Sequence, residues 1–203
     1  YFLPNGDLYM GVQHSGSYNR LELVDKDRGI KNFVPAPGFD GRPDIGPIPT
    51  YNGKSYFLAR NTSSYSEPPY YNGRQIKYFN RLNEDGSVDT TFQFPDTLFS
   101  SLDPEGALAQ QDGSLVTWGD FRFDPAYTSE AYERETILRI FLDGTLDTNF
   151  MAHYRQVDTA NLGDPLYVQQ VIEQADGKLL YLGERSLLGR MHADGTRDTS
   201  FQS

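Results

Sequence analysis

The chain is predicted to be all-β, a β-propeller with four blades of short antiparallel strands. Three observations predict this. A twelve-residue signature recurs along the chain, a glycine turn precedes each copy, and no stretch sustains the i, i+3, i+4, i+7 apolar spacing of a helix. The signature reads Arg81-Leu-Asn-Glu-Asp-Gly-Ser-Val-Asp-Thr-Thr-Phe92, then Arg139-Ile-Phe-Leu-Asp-Gly-Thr-Leu-Asp-Thr-Asn-Phe150, then Arg190-Met-His-Ala-Asp-Gly-Thr-Arg-Asp-Thr-Ser-Phe201. The Arg, Asp-Gly, Asp-Thr and Phe positions are identical in all three copies, and Ser or Thr follows each Gly. A degenerate copy ends at Phe33, so the terminal Phe residues 33, 92, 150 and 201 lie roughly 50–60 residues apart, the length of one supersecondary unit.

The elements follow in order. The first repeat, near 1–38, opens with a turn in Leu3-Pro-Asn-Gly-Asp-Leu-Tyr-Met-Gly11 and closes with the degenerate signature. The second, 39–97, has its turn in Thr50-Tyr-Asn-Gly-Lys-Ser-Tyr-Phe-Leu58. The third, 98–155, has Gln110-Gln-Asp-Gly-Ser-Leu-Val-Thr-Trp-Gly119, and the fourth, 156–203, has Gln174-Ala-Asp-Gly-Lys-Leu-Leu-Tyr-Leu-Gly183. Asn-Gly or Asp-Gly between apolar runs signals a two-residue type I′ hairpin, because both central residues need positive φ. Each repeat is therefore expected to hold two hairpin turns and about four short strands: one before the first turn, two between the turns, one after. Helices are given no room. Such units are propeller blades. A closed four-blade ring and a part of a larger propeller both fit, since an open sheet edge must be paired somehow.

These paired signatures resemble the delta-60 repeat family, a set of bacterial β-propeller repeats. The resemblance runs over nearly the whole chain, closest in the third and fourth repeats. It implies an extracellular or cell-surface setting, because the family is frequent in secreted and surface-anchored proteins, lipoproteins among them. It also implies further blades or domains in a parent protein. It implies no enzymatic activity.

Composition narrows the function further. With 18 Lys+Arg against 28 Asp+Glu the formal charge is −10, which argues against nucleic acid. No Cys is present, which excludes disulfides, thiol catalysis, iron–sulfur clusters and cysteine-bound zinc. No apolar run reaches the roughly 18 residues of a membrane span. No basic-then-apolar signal segment is present, and a chain starting at Tyr1 reads as a mature or excised piece. No Gly-x-Ser-x-Gly elbow, P-loop or Rossmann glycine pattern occurs, so no catalytic residue and no cofactor are assigned.

The recurrent polar residues are read as structural. Asp85, Asp143 and Asp194 belong to the Asp-Gly turns, and Asp89, Asp147 and Asp198 are expected to cap turn amides. Arg81, Arg139 and Arg190 recur at one spacing, so each is expected to pair with a nearby Asp. Phe92, Phe150 and Phe201 complete the repeat set. No metal is expected, because one Asp per repeat cannot supply six to eight oxygens, and His14, His153 and His192 share no ligand spacing.

The departures from the repeat are insertions. From first-turn Gly to second-turn Gly the fourth repeat runs 177–195, whereas the third runs 113–144 and the second 53–86. The extra residues are Asn61-Thr-Ser-Ser-Tyr-Ser-Glu-Pro-Pro-Tyr-Tyr-Asn-Gly73 and Asp120-Phe-Arg-Phe-Asp-Pro-Ala-Tyr-Thr-Ser-Glu-Ala-Tyr132, both between the two middle strands. Tyr65, Tyr70, Tyr71, Phe121, Phe123, Tyr127 and Tyr132 are the candidate ligand-binding residues, expected together on one rim. Aromatic rings also pin long loops by burial, so both uses stay open. The sequence reading is a non-catalytic binding or adhesion module for a glycan or a surface protein. Its alternatives are a carbohydrate-active enzyme and a structural spacer.

Overall fold

The computed structural model describes residues 8–13, 19–25, 27, 29–30, 45–49, 52–58, 70–71, 74–75, 78–83, 87–124, 134–159, 167–183 and 188–201. The chain falls into two compact units, 1–90 and 91–203.

Among the described residues the first unit carries three antiparallel sheets. One joins β1 (Leu8–Gln13), β2 (Asn19–Asp25) and β3 (Gly29–Ile30) in that order. A second joins β4 (Ile45–Pro49), β5 (Ser55–Leu58) and β8 (Phe79–Leu82). Tyr56, Phe57, Phe79 and Leu82 are almost fully buried there. Between β5 and β8 the chain makes a separate hairpin from β6 (Tyr70–Tyr71) and β7 (Arg74–Gln75).

Among the described residues the second unit carries two more sheets and an α-helix. β9 (Phe99–Ala109), β10 (Leu115–Phe123) and β11 (Arg134–Ile140) form one sheet with β10 central. β12 (Val168–Glu173), β13 (Leu179–Gly183) and β14 (Leu188–Met191) form the other with β13 central. Val116, Trp118, Ile137, Val171, Leu179, Tyr181 and Met191 build one core across both sheets. The Trp118 indole N–H donates to the Gln169 carbonyl at 2.9 Å, so the largest ring of that core leaves no buried donor unsatisfied.

Three expectations are corrected. The fourth strand is the two-residue β3 in the first repeat and shrinks to a single bridge in the other three, Leu82↔Val88, Ile140↔Leu146 and Met191↔Arg197. In those three the chain leaves the sheet at the next residue because the following Asp turns its carboxylate onto the Arg of the third strand.

The turns are also not two-residue type I′ loops. Gly113 N–H donates to the Gln110 carbonyl and Gly177 N–H to the Gln174 carbonyl, each at 2.9 Å, so Gly is the fourth residue of the turn. It then forms the left-handed bulge of a three-residue loop, with φ running from 72° at Gly53 to 92° at Gly144. The Asp before it selects this geometry, its Oδ1 accepting the N–H two residues on: Ser114 at 2.8 Å, Thr145 at 2.9 Å and Thr196 at 2.9 Å.

Third, a helix does form, α1 (Thr148–Thr159). Asp147 starts it by accepting the Phe150 N–H at 3.0 Å, the geometry of an N-cap. Phe150, Met151 and Tyr154 are buried on one side of it, against β11. The Tyr154 hydroxyl is 3.2 Å from the Thr136 hydroxyl.

Candidate functional site

The repeat signature builds a charged centre in the second, third and fourth repeats. Arg81 Nε lies 2.8 Å from Asp89 Oδ2, Arg139 Nη1 2.9 Å from Asp147 Oδ2, and Arg190 Nε 2.9 Å from Asp198 Oδ2. The same Asp also donates its backbone N–H to the Arg carbonyl, at 2.7, 2.9 and 3.0 Å. Side chain and main chain thus clamp the same pair. Arg81 and Asp89 are 6% and 4% exposed, so this bond is dry.

A third member was visible in the sequence as the residue after the first-turn Gly. Lys54 Nζ reaches Asp89 Oδ2 at 2.6 Å, and Lys178 Nζ reaches Asp198 Oδ2 at 2.9 Å. Ser114 stands at this position in the third repeat. Arg139 compensates there by spreading its guanidinium over Gln110 Oε1, Asp112 Oδ2 and Asp147 Oδ2. The Ser200 hydroxyl and the Lys178 ammonium hold the Asp198 carboxyl far below its ordinary range. The Thr196 hydroxyl and N–H lower that of Asp194. Every oxygen of Asp198 is occupied inside the protein, which suits holding a turn rather than receiving a ligand.

One carboxylate departs from this pattern. Glu173 ends β12 and accepts the Gln111 N–H at 3.1 Å. Desolvation raises its pKa, and Asp112 nearby adds to the rise. Among the described residues no group of three or more His, Cys, Asp or Glu side chains gathers as a metal would require.

The candidate aromatics divide. Phe121 and Phe123 belong to strand β10, not to a loop, and both are buried. Phe123 stacks on Phe99 at 4.5 Å between centroids, and Phe99 on Phe94 at 5.6 Å, so these rings serve the core. Between them Arg122 is exposed and pairs with Asp120 at 3.1 Å. Tyr70 and Tyr71 form β6, opposite Gln75 and Arg74. Tyr65, Tyr127 and Tyr132 lie outside the described residues, as does Asp85. Phe92 and Phe150 are buried, and Phe201 is half-buried with the Arg190 guanidinium 4.9 Å from its centroid.

The hairpins make contacts that sequence reasoning missed. The Asp143 carbonyl accepts the Gln93 N–H at 2.7 Å, and the Asp194 carbonyl accepts from His153 Nδ1 at 2.9 Å. A Cβ on Gly144 would collide with the Gln93 backbone, which is why this turn needs glycine twice over.

The family model of a β-propeller domain of unknown function, DUF5122, matches residues 70–92 and 174–201. These stretches hold the second-repeat signature and the fourth repeat from its first turn onward. No curated protein matches the chain. Antiparallel sheets repeating with this signature make the chain an all-β β-propeller repeat protein.

Proposed function

We propose that the chain is a non-catalytic, extracellular or cell-surface binding module whose scaffold presents variable loops between the second and third strands of its repeats. The observation that carries this reading is the β6–β7 hairpin. In the fourth repeat four residues suffice to join β13 to β14, whereas the second repeat builds an additional paired element between β5 and β8. That element carries Tyr70, Tyr71 and Arg74. Tyr offers a flat apolar face with a polar tip, and Arg a planar donor fork, the two groups that stack on and orient a sugar ring. The surface setting rests on the family resemblance, and the ligand class proposed is a glycan.

The test is retention on an immobilised glycan array of the chain with Tyr70→Ala and Tyr71→Ala. Loss of retention with an unchanged Tm supports the reading. Retention unchanged in both variants, or a bound protein in place of any glycan, overturns the assignment to sugar. Turnover of a glycan substrate would replace binding by catalysis.

A further inference from the structure

We propose that Asn52 is a site of spontaneous covalent modification, deamidating to aspartate and isoaspartate in the folded chain. Asn52 and Gly53 form the exposed tip of the β4–β5 hairpin. The sister tips carry Asp112-Gly113 and Asp176-Gly177. An amide carbon is a far better electrophile than a carboxylate carbon, so the one described first turn with Asn before Gly is the reactive one.

The step balances without any cofactor. The Gly53 backbone nitrogen attacks the Asn52 side-chain carbonyl carbon, a nitrogen–carbon bond forms, and the side-chain carbon–nitrogen bond breaks. Ammonia leaves with the proton from the Gly53 amide. Water then opens the five-membered imide at either carbonyl. Attack at one returns a normal aspartate, and attack at the other routes the backbone through the side chain as isoaspartate. The following residue has no side chain to obstruct the approach.

A closed turn would hinder this step, because in the sister turns the Gly N–H is already engaged, at 2.9 Å in both. In the second repeat the strand entering the turn has fewer N–H groups to give to its ladder than β12 has in the fourth. That strand, β4, reads Ile-Gly-Pro-Ile-Pro, and Pro47 and Pro49 have no N–H to give to the ladder. The β4–β5 register is also irregular between Ile45 and Ile48. By contrast β12 carries no Pro and pairs with β13 without a shift from Gln170 to Glu173, the end next to its turn. Exposed tips with few ladder bonds open at low cost, and each opening frees the Gly53 nitrogen.

The repeat also defines where the product leads. Asp176 Oδ2 lies 3.8 Å from Lys178 Nζ, which reaches on to Asp198. Lys54 and Asp89 already hold the corresponding places in the second repeat. A new aspartate at 52 therefore arrives beside Lys54 in a turn that the sister repeats build with Asp. An isoaspartate instead adds a backbone methylene inside the three-residue loop and spoils the spacing of its hydrogen bonds. One product suits the fold and the other loosens it.

The experiment ages the intact chain at mildly alkaline pH, with a parallel sample in denaturant, and reads isoelectric focusing and peptide mapping. Mapping separates Asn52 from the Asn-Gly pairs at Asn5 and Asn72. Expected is conversion of the Asn52 peptide to an aspartate and isoaspartate mixture in the folded sample. Each event adds one negative charge to the formal −10. Asn52→Ser removes the acidic species assigned to that peptide, and Asn52→Asp keeps the Tm of the fresh chain while the aged chain falls below it. A folded chain that retains its Asn52 amide while the denatured chain loses it overturns the proposal.

Discussion

A buried carboxylate with two cations on it is worth more broken than made. Asp89 faces Arg81 and Lys54, and Asp89→Ala leaves the nearly inaccessible guanidinium without this carboxylate. The expected loss is about 3–5 kcal/mol, the cost of removing one partner of a buried ion pair, measured by denaturant unfolding. Asp198 gives the complementary test by pH. Its folded pKa is depressed, so its contribution is complete above the ordinary carboxylate value near ~4 and disappears as pH falls toward the folded one. Asp198→Asn should therefore lower the Tm at neutral pH and converge on the parent chain in acid. Glu173 has the opposite sign. Its raised pKa means a stabilising term present in acid and lost as pH rises through the folded value, so Glu173→Gln should raise the neutral-pH Tm and change nothing below the unfolded value.

At the scale of the element, the hairpins were legible because each one repeats, whereas α1 was not because it occurs once. Its apolar residues Phe150, Tyr154 and Val157 do stand at i, i+4 and i+7. Phe150 had already been claimed by the signature, and the Asp-Thr-x-Phe run that closes the fourth repeat as a mere turn becomes the first turn of a helix in the third. The strand at Phe121 and Phe123 was hidden for a different reason. The register shifts between Trp118 and Phe121 break the alternation, so a bulged strand resembled the start of a loop. Asp147 has two duties, capping α1 and holding Arg139. Asp147→Asn should preserve most of the cap and lose the ion pair, while Asp147→Ala should lose about 1 kcal/mol more in urea unfolding.

For the molecule as a whole, composition excluded more than it assigned. The scaffold could be read from Arg, Asp-Gly and Asp-Thr-x-Phe because those residues are pinned by backbone geometry common to the second, third and fourth repeats. A ligand contact belongs to one loop and has no copy to compare it with, so Tyr70 and Tyr71 could only be proposed. The docking of hairpins onto repeat tails sets the unit in which this chain can be edited. The compact second unit begins at Thr91, inside the Asp-Thr-Thr-Phe run of the second repeat, so the end of that signature belongs with the sheet that follows it. Gln93 travels with the sheet that follows it, and His153 travels with the hairpin at Asp194. A graft or circular permutation cut directly after the signature's terminal Phe keeps Gln93 and His153 with the hairpins they hold, whereas a cut just beyond either residue would strip the next hairpin of its seat.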